Sequence, residues 1–125
     1  MATLPETVIK AWENREGPVI LTTVDANGVP NAIYATCISL YNAETLVVAD
    51  NYFSKTRANI LAGSLGSVLF MTKDGQAYQI KGHLEYHTTG AVFEDMKCWN
   101  PTRHPGHAAV ALNVEQVYSG SQQLV

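Results

Sequence analysis

Ser54-Lys55-Thr56-Arg57-Ala58-Asn59-Ile60-Leu61-Ala62-Gly63 sets two hydroxyls and two cations side by side just after the apolar run Leu46-Val47-Val48-Ala49. Ser54 is suited to cap a helix by accepting from a main-chain N–H one turn on, and Gly63 to close it, with about nine residues between. The first turn of such a helix exposes unpaired N–H groups and the positive end of the helix dipole. With the hydroxyls of Ser54 and Thr56 and the charges of Lys55 and Arg57, this is chemistry that holds an anion such as a phosphate. A capped helix with a basic first turn is the plain alternative. Cations are unfavourable there unless something negative offsets the dipole, so Lys55 and Arg57 make better sense facing an anion.

Other residues invite chemistry less strongly. Cys98, His104 and His107 have the donor types for zinc, but no fourth ligand is evident, so no metal site is assigned. His83 and His87 share a strand face about 13 Å apart and cannot clamp one ion. Cys37 lies on an apolar strand without a nearby base, where a thiol is usually packing. Trp99 beside prolines reads either as core or as a ligand contact, and Tyr34 either as barrel filling or as a stacking partner with a polar tip.

The elements that must position these residues follow from periodicity. Thr3-Leu4-Pro5-Glu6 has the form of a capping box before a helix with Val8, Ile9 and Trp12 on one face. Val19 to Val24 predicts a first strand, Asp25-Ala26-Asn27-Gly28 a hairpin, and Asn31 to Leu40 a second strand, with Thr45 to Ala49 a third that completes a meander. Gly66 to Thr72 and Ala77 to His87 predict strands four and five. Ala91 to Cys98 reads as a short helix, Trp99 to His107 as a loop, Ala108 to about Tyr118 as a last strand, and the remainder as a tail. Six strands with two or three short helices fit a small, closed, mainly β antiparallel barrel of Greek-key type rather than a parallel sheet.

Residues 1–125 read as a single domain. An apolar content of 46% with only 15% charge is high for so small a monomer and predicts a subunit interface. A net charge of −3 with scattered basic residues argues against nucleic-acid binding. Apolar runs are too short to span a bilayer and no export signal is evident, so the expected compartment is the cytoplasm, with two free cysteines.

Three segments in order resemble the flavin-binding split-barrel proteins related to pyridoxamine 5′-phosphate oxidase, closest to their short bacterial FMN-binding members. Ser54 to Ile60 after Val47-Val48 is similar to the family's Lys-Thr-x-x-Asn phosphate segment. Pro30-Asn31-Ala32-Ile33-Tyr34 is similar to the strand bordering the flavin, and Tyr78-Gln79-Ile80-Lys81-Gly82 to a hydrophobic-x-hydrophobic-basic-Gly strand. The resemblance implies a six-stranded split barrel that forms a homodimer with FMN in clefts between subunits. It implies phosphate contacts from Ser54, Lys55 and Thr56, and a flavin lined by Asn31, Ala32, Ile33, Tyr34, Val48, Ala49 and Asp50. Trp99 and Leu124 would reach toward the partner's flavin.

The resemblance further implies electron transfer or a flavin-dependent oxidoreductase activity, supplied by a redox partner protein or a small-molecule donor, with no side chain as an obligatory acid or base. The chain ends in Gln122-Gln123-Leu124-Val125 and lacks the arginines and histidine with which the oxidases hold their substrate's phosphate, so pyridoxamine phosphate is not the expected substrate. The alternative is a binding module on the same fold for haem or another planar ligand, with His83, His104 or His107 as candidate ligands.

Overall fold

Strand alternation decides this architecture. The structure, a computed structural model, describes residues 2–125. In chain order these form α1 (Glu6–Glu13), β1 (Val19–Val24), β2 (Pro30–Ala35), β3 (Ile38–Asn42), β4 (Thr45–Asp50), α2 (Lys55–Leu61), β5 (Leu65–Met71), β6 (Ala77–His87), α3 (Ala91–Trp99), β7 (Ala108–Ser119) and β8 (Gln122–Gln123). The strands make one sheet in the order β2-β1-β5-β6-β7-β4-β3, antiparallel at every pairing, with β8 folded back on β7. It curls into a mainly β split barrel.

The expected second strand, Asn31 to Leu40, is in fact two, and with the two-residue β8 in the expected tail this raises the strand count from six to eight among the described residues. β2 pairs only with β1 and β3 only with β4, at opposite edges of the sheet, so the first three expected strands do not form a meander. Thr36 and Cys37 alone join the two edges, which therefore come within about 10 Å and close the sheet on itself. The reason is parity. Ile33 and Ala35 face the core, and so do Ile38 and Leu40. An unbroken strand would turn one of these pairs outward.

Val19 and Leu21, Val68 and Phe70, Ile80, Leu112 and Val114, and Leu46 and Val48 fill the barrel. Leu4, Val8 and Trp12 bring α1 against this core, with Trp12 edge-on to Phe70 at 5.1 Å. The capping box is corrected: Pro5 is the N-cap, Glu6 is the first helical residue rather than the third, and no side chain caps the turn. On the outer surface Met96, Val92 and Phe93 of α3 cover Val47, Ala49, Ala109 and Ala111. β4 is therefore buried on both faces, which its unbroken apolar run reflects. Gly82 marks a close approach of β6 to β7, since a Cβ there would lie 1.9 Å from the Asn113 carbonyl oxygen. The register between these strands shifts at the same point.

Candidate functional site

A cleft of about 390 Å³ opens where β2 turns into β3. One wall is Ile33, Tyr34, Ala35, Thr36 and Cys37; the facing wall is Val48 and Ala49; Asn51 to Thr56 closes one end and His104 reaches in from the loop before β7. Of the residues proposed from sequence, Ile33, Tyr34, Val48, Ala49, Ser54, Lys55 and Thr56 are brought together here. Asn31 lies beside the cleft, donating its side-chain amide to Thr56 Oγ1 at 2.9 Å. Ala32 is exposed on the outer face of β2. Trp99 lines a neighbouring hollow, and Leu124 folds back on its own chain, donating its N–H to Val117 at 2.7 Å.

The phosphate-type segment is built partly as expected. Ser54 occupies the N-cap position, but its side chain makes no capping hydrogen bond, and α2 has 7 residues rather than about nine. Gly63 closes the helix with φ +95°, its N–H and that of Ser64 donating to Ile60 and Asn59, both at 3.0 Å. Thr56 and Asn59 turn inward. Asn59 donates to Thr23 Oγ1 at 3.0 Å, so Thr56, Asn31, Thr23 and Asn59 form a polar seam fixing α2 to β1 and β2.

Arg57 does not face the cleft, which corrects the expectation of two cations there. It donates to both oxygens of Asp50, at 2.7 and 3.0 Å. The Asp50 side chain is fully buried, and also accepts from Tyr86 Oη at 2.6 Å and from the Phe53 N–H at 3.0 Å. Asp50 thus lies beneath the cleft and shapes the turn that lines it. Burial alone would raise its carboxyl, but the hydrogen bonds from Arg57, Tyr86 and Phe53, with the Arg57 charge, outweigh that and hold it below the ordinary carboxylate value. Tyr86 is correspondingly pushed up, by burial and by the carboxylate it serves. Lys55 is left as the cation at the cleft's polar end.

The loop carrying His104 is bolted down rather than free. Asn51 and Asn100, both buried, exchange amide hydrogen bonds of 3.1 and 2.9 Å, and the Gly106 N–H donates to Asn51 Oδ1 at 2.9 Å. Lys97 Nζ donates to the carbonyls of Pro105 and Gly106, at 3.0 and 3.2 Å. His107 donates its N–H to the Asp50 carbonyl at 2.8 Å. On this frame His104 Nδ1 sits 3.0 Å from the Tyr52 hydroxyl.

Sequence reasoning had weighed His104 only as a metal or haem ligand and overlooked Tyr52, Phe53 and Cys37 as lining. The one signal for Tyr52 and Phe53 was their place between the strand end and Ser54. His83, on the outer face of the sheet, pairs with Glu115 at 2.8 Å, away from the cleft. Among the described residues, no three His, Cys, Asp or Glu side chains gather as a metal-holding group, and no helix is long and apolar enough to cross a membrane.

Comparison with known proteins agrees with this fold. The chain is 30% identical over 122 residues to the uncharacterized protein MJ0282 of Methanocaldococcus jannaschii, covering 93% of this chain and 80% of that one. Its fold matches HupZ of Group A Streptococcus, with 24% identity, 96% of each chain covered and a TM-score of 0.82. It also matches an FMN-binding protein from Syntrophomonas wolfei, at 21% identity, with 83% of this chain and 77% of that one covered and a TM-score of 0.69. A third likeness is to HutZ, the haem storage protein of Vibrio cholerae, at 17% identity, covering 93% and 94% with a TM-score of 0.66. The family model described as pyridoxamine 5′-phosphate oxidase spans residues 6–120, from the first helical residue through the last long strand, and with the split barrel around it this places the chain in the pyridoxamine 5′-phosphate oxidase family.

Proposed function

We propose that this protein binds FMN in the cleft and works as a flavin-dependent oxidoreductase or electron carrier. The observation that carries the reading is the two-ended chemistry of one cleft: hydroxyls and an ammonium from Ser54, Thr56 and Lys55 at one end, and the flat apolar walls of Ile33, Tyr34, Val48 and Ala49 along it. That donor set fits a phosphorylated planar ligand. Its volume of about 390 Å³ lies within the roughly 300–1,000 Å³ of cofactor sites. Lys55 would neutralise phosphate charge, Tyr34 and Val48 would hold the ring, and the Asp50–Arg57 pair would keep the turn in shape. Bound flavin would supply the electron chemistry, which no side chain here can.

The working form in this reading is a cytoplasmic homodimer with FMN at the interface. Tyr34, 76% exposed, and the outward Leu65, Leu69 and Met71 of β5 supply apolar surface for a second subunit. Sedimentation equilibrium at micromolar concentration should give a dimer, and a monomer with flavin still bound would remove the shared-cleft part. The visible spectrum of the purified protein, followed by titration with FMN, tests the cofactor. A two-banded flavin spectrum and saturable FMN binding are expected. An intense haem band and no FMN binding would favour the haem reading, for which His104 is the histidine on the cleft wall.

A further inference from the structure

The cleft shares a wall with a second hollow of about 390 Å³, and Thr36, Cys37 and His104 line both. Arg103 and Trp99 also line that second hollow. His104 also borders a third, smaller hollow against α3, so its imidazole stands where the three meet. Its ring is held at one nitrogen by Tyr52, edge-on at 5.5 Å between centroids, while Nε2 makes no hydrogen bond among the described residues.

Resting on the flavin reading above, we propose that His104, positioned by Tyr52, is the acid–base residue of the cleft and exchanges a proton with a molecule reduced where the two hollows meet. With the Tyr52 hydroxyl as donor to Nδ1 in the neutral ring, the imidazole proton would sit on Nε2. As the imidazolium, with Nδ1–H donating to the Tyr52 oxygen, His104 gives its Nε2 proton to the reacting oxygen, and the neutral ring then recovers a proton from water. The net transfer is one proton from solvent to the reacting molecule. For a quinone the balance would close with a hydride from a bound reduced flavin and one proton from His104, giving the hydroquinone.

Imidazole is the side chain whose ordinary titration falls in the neutral range, which suits both directions of transfer. The other titratable or charged groups lining these hollows are Tyr34, Lys55, Cys37, Arg103 and Lys97, with Tyr52 itself; no carboxylate is among them. Rigidity supports the role, because the Asn51–Asn100 pair and Lys97 fix the loop that carries the ring.

Two measurements test this. Ring nitrogen NMR of the protein without cofactor should show His104 as the Nε2–H tautomer, shifting to a mixture in Tyr52→Phe; identical ring signals in the two proteins overturn the positioning. In the second, FMN-loaded protein is reduced by light and mixed with benzoquinone across about pH 5 to 8. With each protein saturated in FMN, His104→Gln should react about 100-fold more slowly and lose the pH dependence, and Tyr52→Phe should fall between. A wild-type rate and profile in His104→Gln overturns the proposal. The NMR result stands whether or not FMN binds, so failure of the relay and failure of the cofactor reading are distinguishable.

Discussion

Replacing Lys55 with Ala tests the polar end of the cleft at one side chain. The ammonium is exposed in the first turn of α2 and makes no ion pair among the described residues, so its loss takes nothing from the unliganded fold. It even relieves a helix-dipole repulsion of about 0.3–1 kcal/mol. Against a phosphate the same group makes a charge-assisted hydrogen bond. Between opposite charges in contact the attraction is about 1 kcal/mol in water and about 4 kcal/mol near a protein surface, and the net value of such a bond is about 1.5–3 kcal/mol. FMN affinity should therefore fall about 10- to 150-fold. Riboflavin, with the same ring and no phosphate, should hardly respond. Fluorescence titrations of both ligands at low and high salt measure this, and salt should weaken FMN more than riboflavin. Arg57→Ala is the contrast: because Arg57 is engaged by buried Asp50, its loss should lower Tm and weaken both ligands alike. Equal losses for FMN and riboflavin in Lys55→Ala, or none, refute the phosphate contact.

Gly82→Ala should cost more than about 4 kcal/mol, because a Cβ at 1.9 Å from the Asn113 oxygen forces β6 from β7; a melting temperature close to wild type would contradict this. Asp50 is held below its ordinary value of 3.8, so its stabilisation is complete above that pH and is lost as pH falls below it through the folded value. Denaturant melts between about pH 5 and 2 should fall more steeply for wild type than for Asp50→Asn, which itself costs about 1.5–3 kcal/mol at neutral pH; parallel slopes would remove Asp50 from the acid response. Asn100→Ala strands the buried Asn51 amide at a cost of about 1–3 kcal/mol and frees the loop, so hydrogen exchange at Gly106 should accelerate; unchanged exchange would show that the loop is held elsewhere.

Local chemistry was readable from the sequence, and distant pairing was not. Alternation along Ala77 to His87, the apolar run of β4 and the glycine closing α2 each have a local cause, and the structure matches them. The break at Thr36-Cys37 was legible in principle, since Ile33 and Ala35 differ in parity from Ile38 and Leu40, yet a continuous strand was the simpler reading of ten residues in alternation. Arg57 illustrates the other limit. Its partner Asp50 is seven residues away across a turn, and only folding shows that the buried carboxylate claims it before any ligand does. His104 reaches the cleft through the Asn51–Asn100 pair, a contact between residues 49 apart in sequence, which no periodicity encodes.

Because β2 and β3 share a covalent link but no ladder, the barrel has a slit, and the cleft lies along it. The two banks are held together only by two residues of chain and by what packs behind them, such as the Cys37 carbonyl accepting from Ala49 at 2.9 Å. A ligand lying against Ile33 and Tyr34 on one bank and Val48 and Ala49 on the other supplies the missing rungs. Its affinity then becomes rigidity of the whole cylinder. At a hundred times Kd such a ligand would add about 2.7 kcal/mol to unfolding, felt most by the amides beside the slit. The apo protein should breathe there first, with the backbone of residues 33–37 exchanging ahead of the β5–β6–β7 wall opposite.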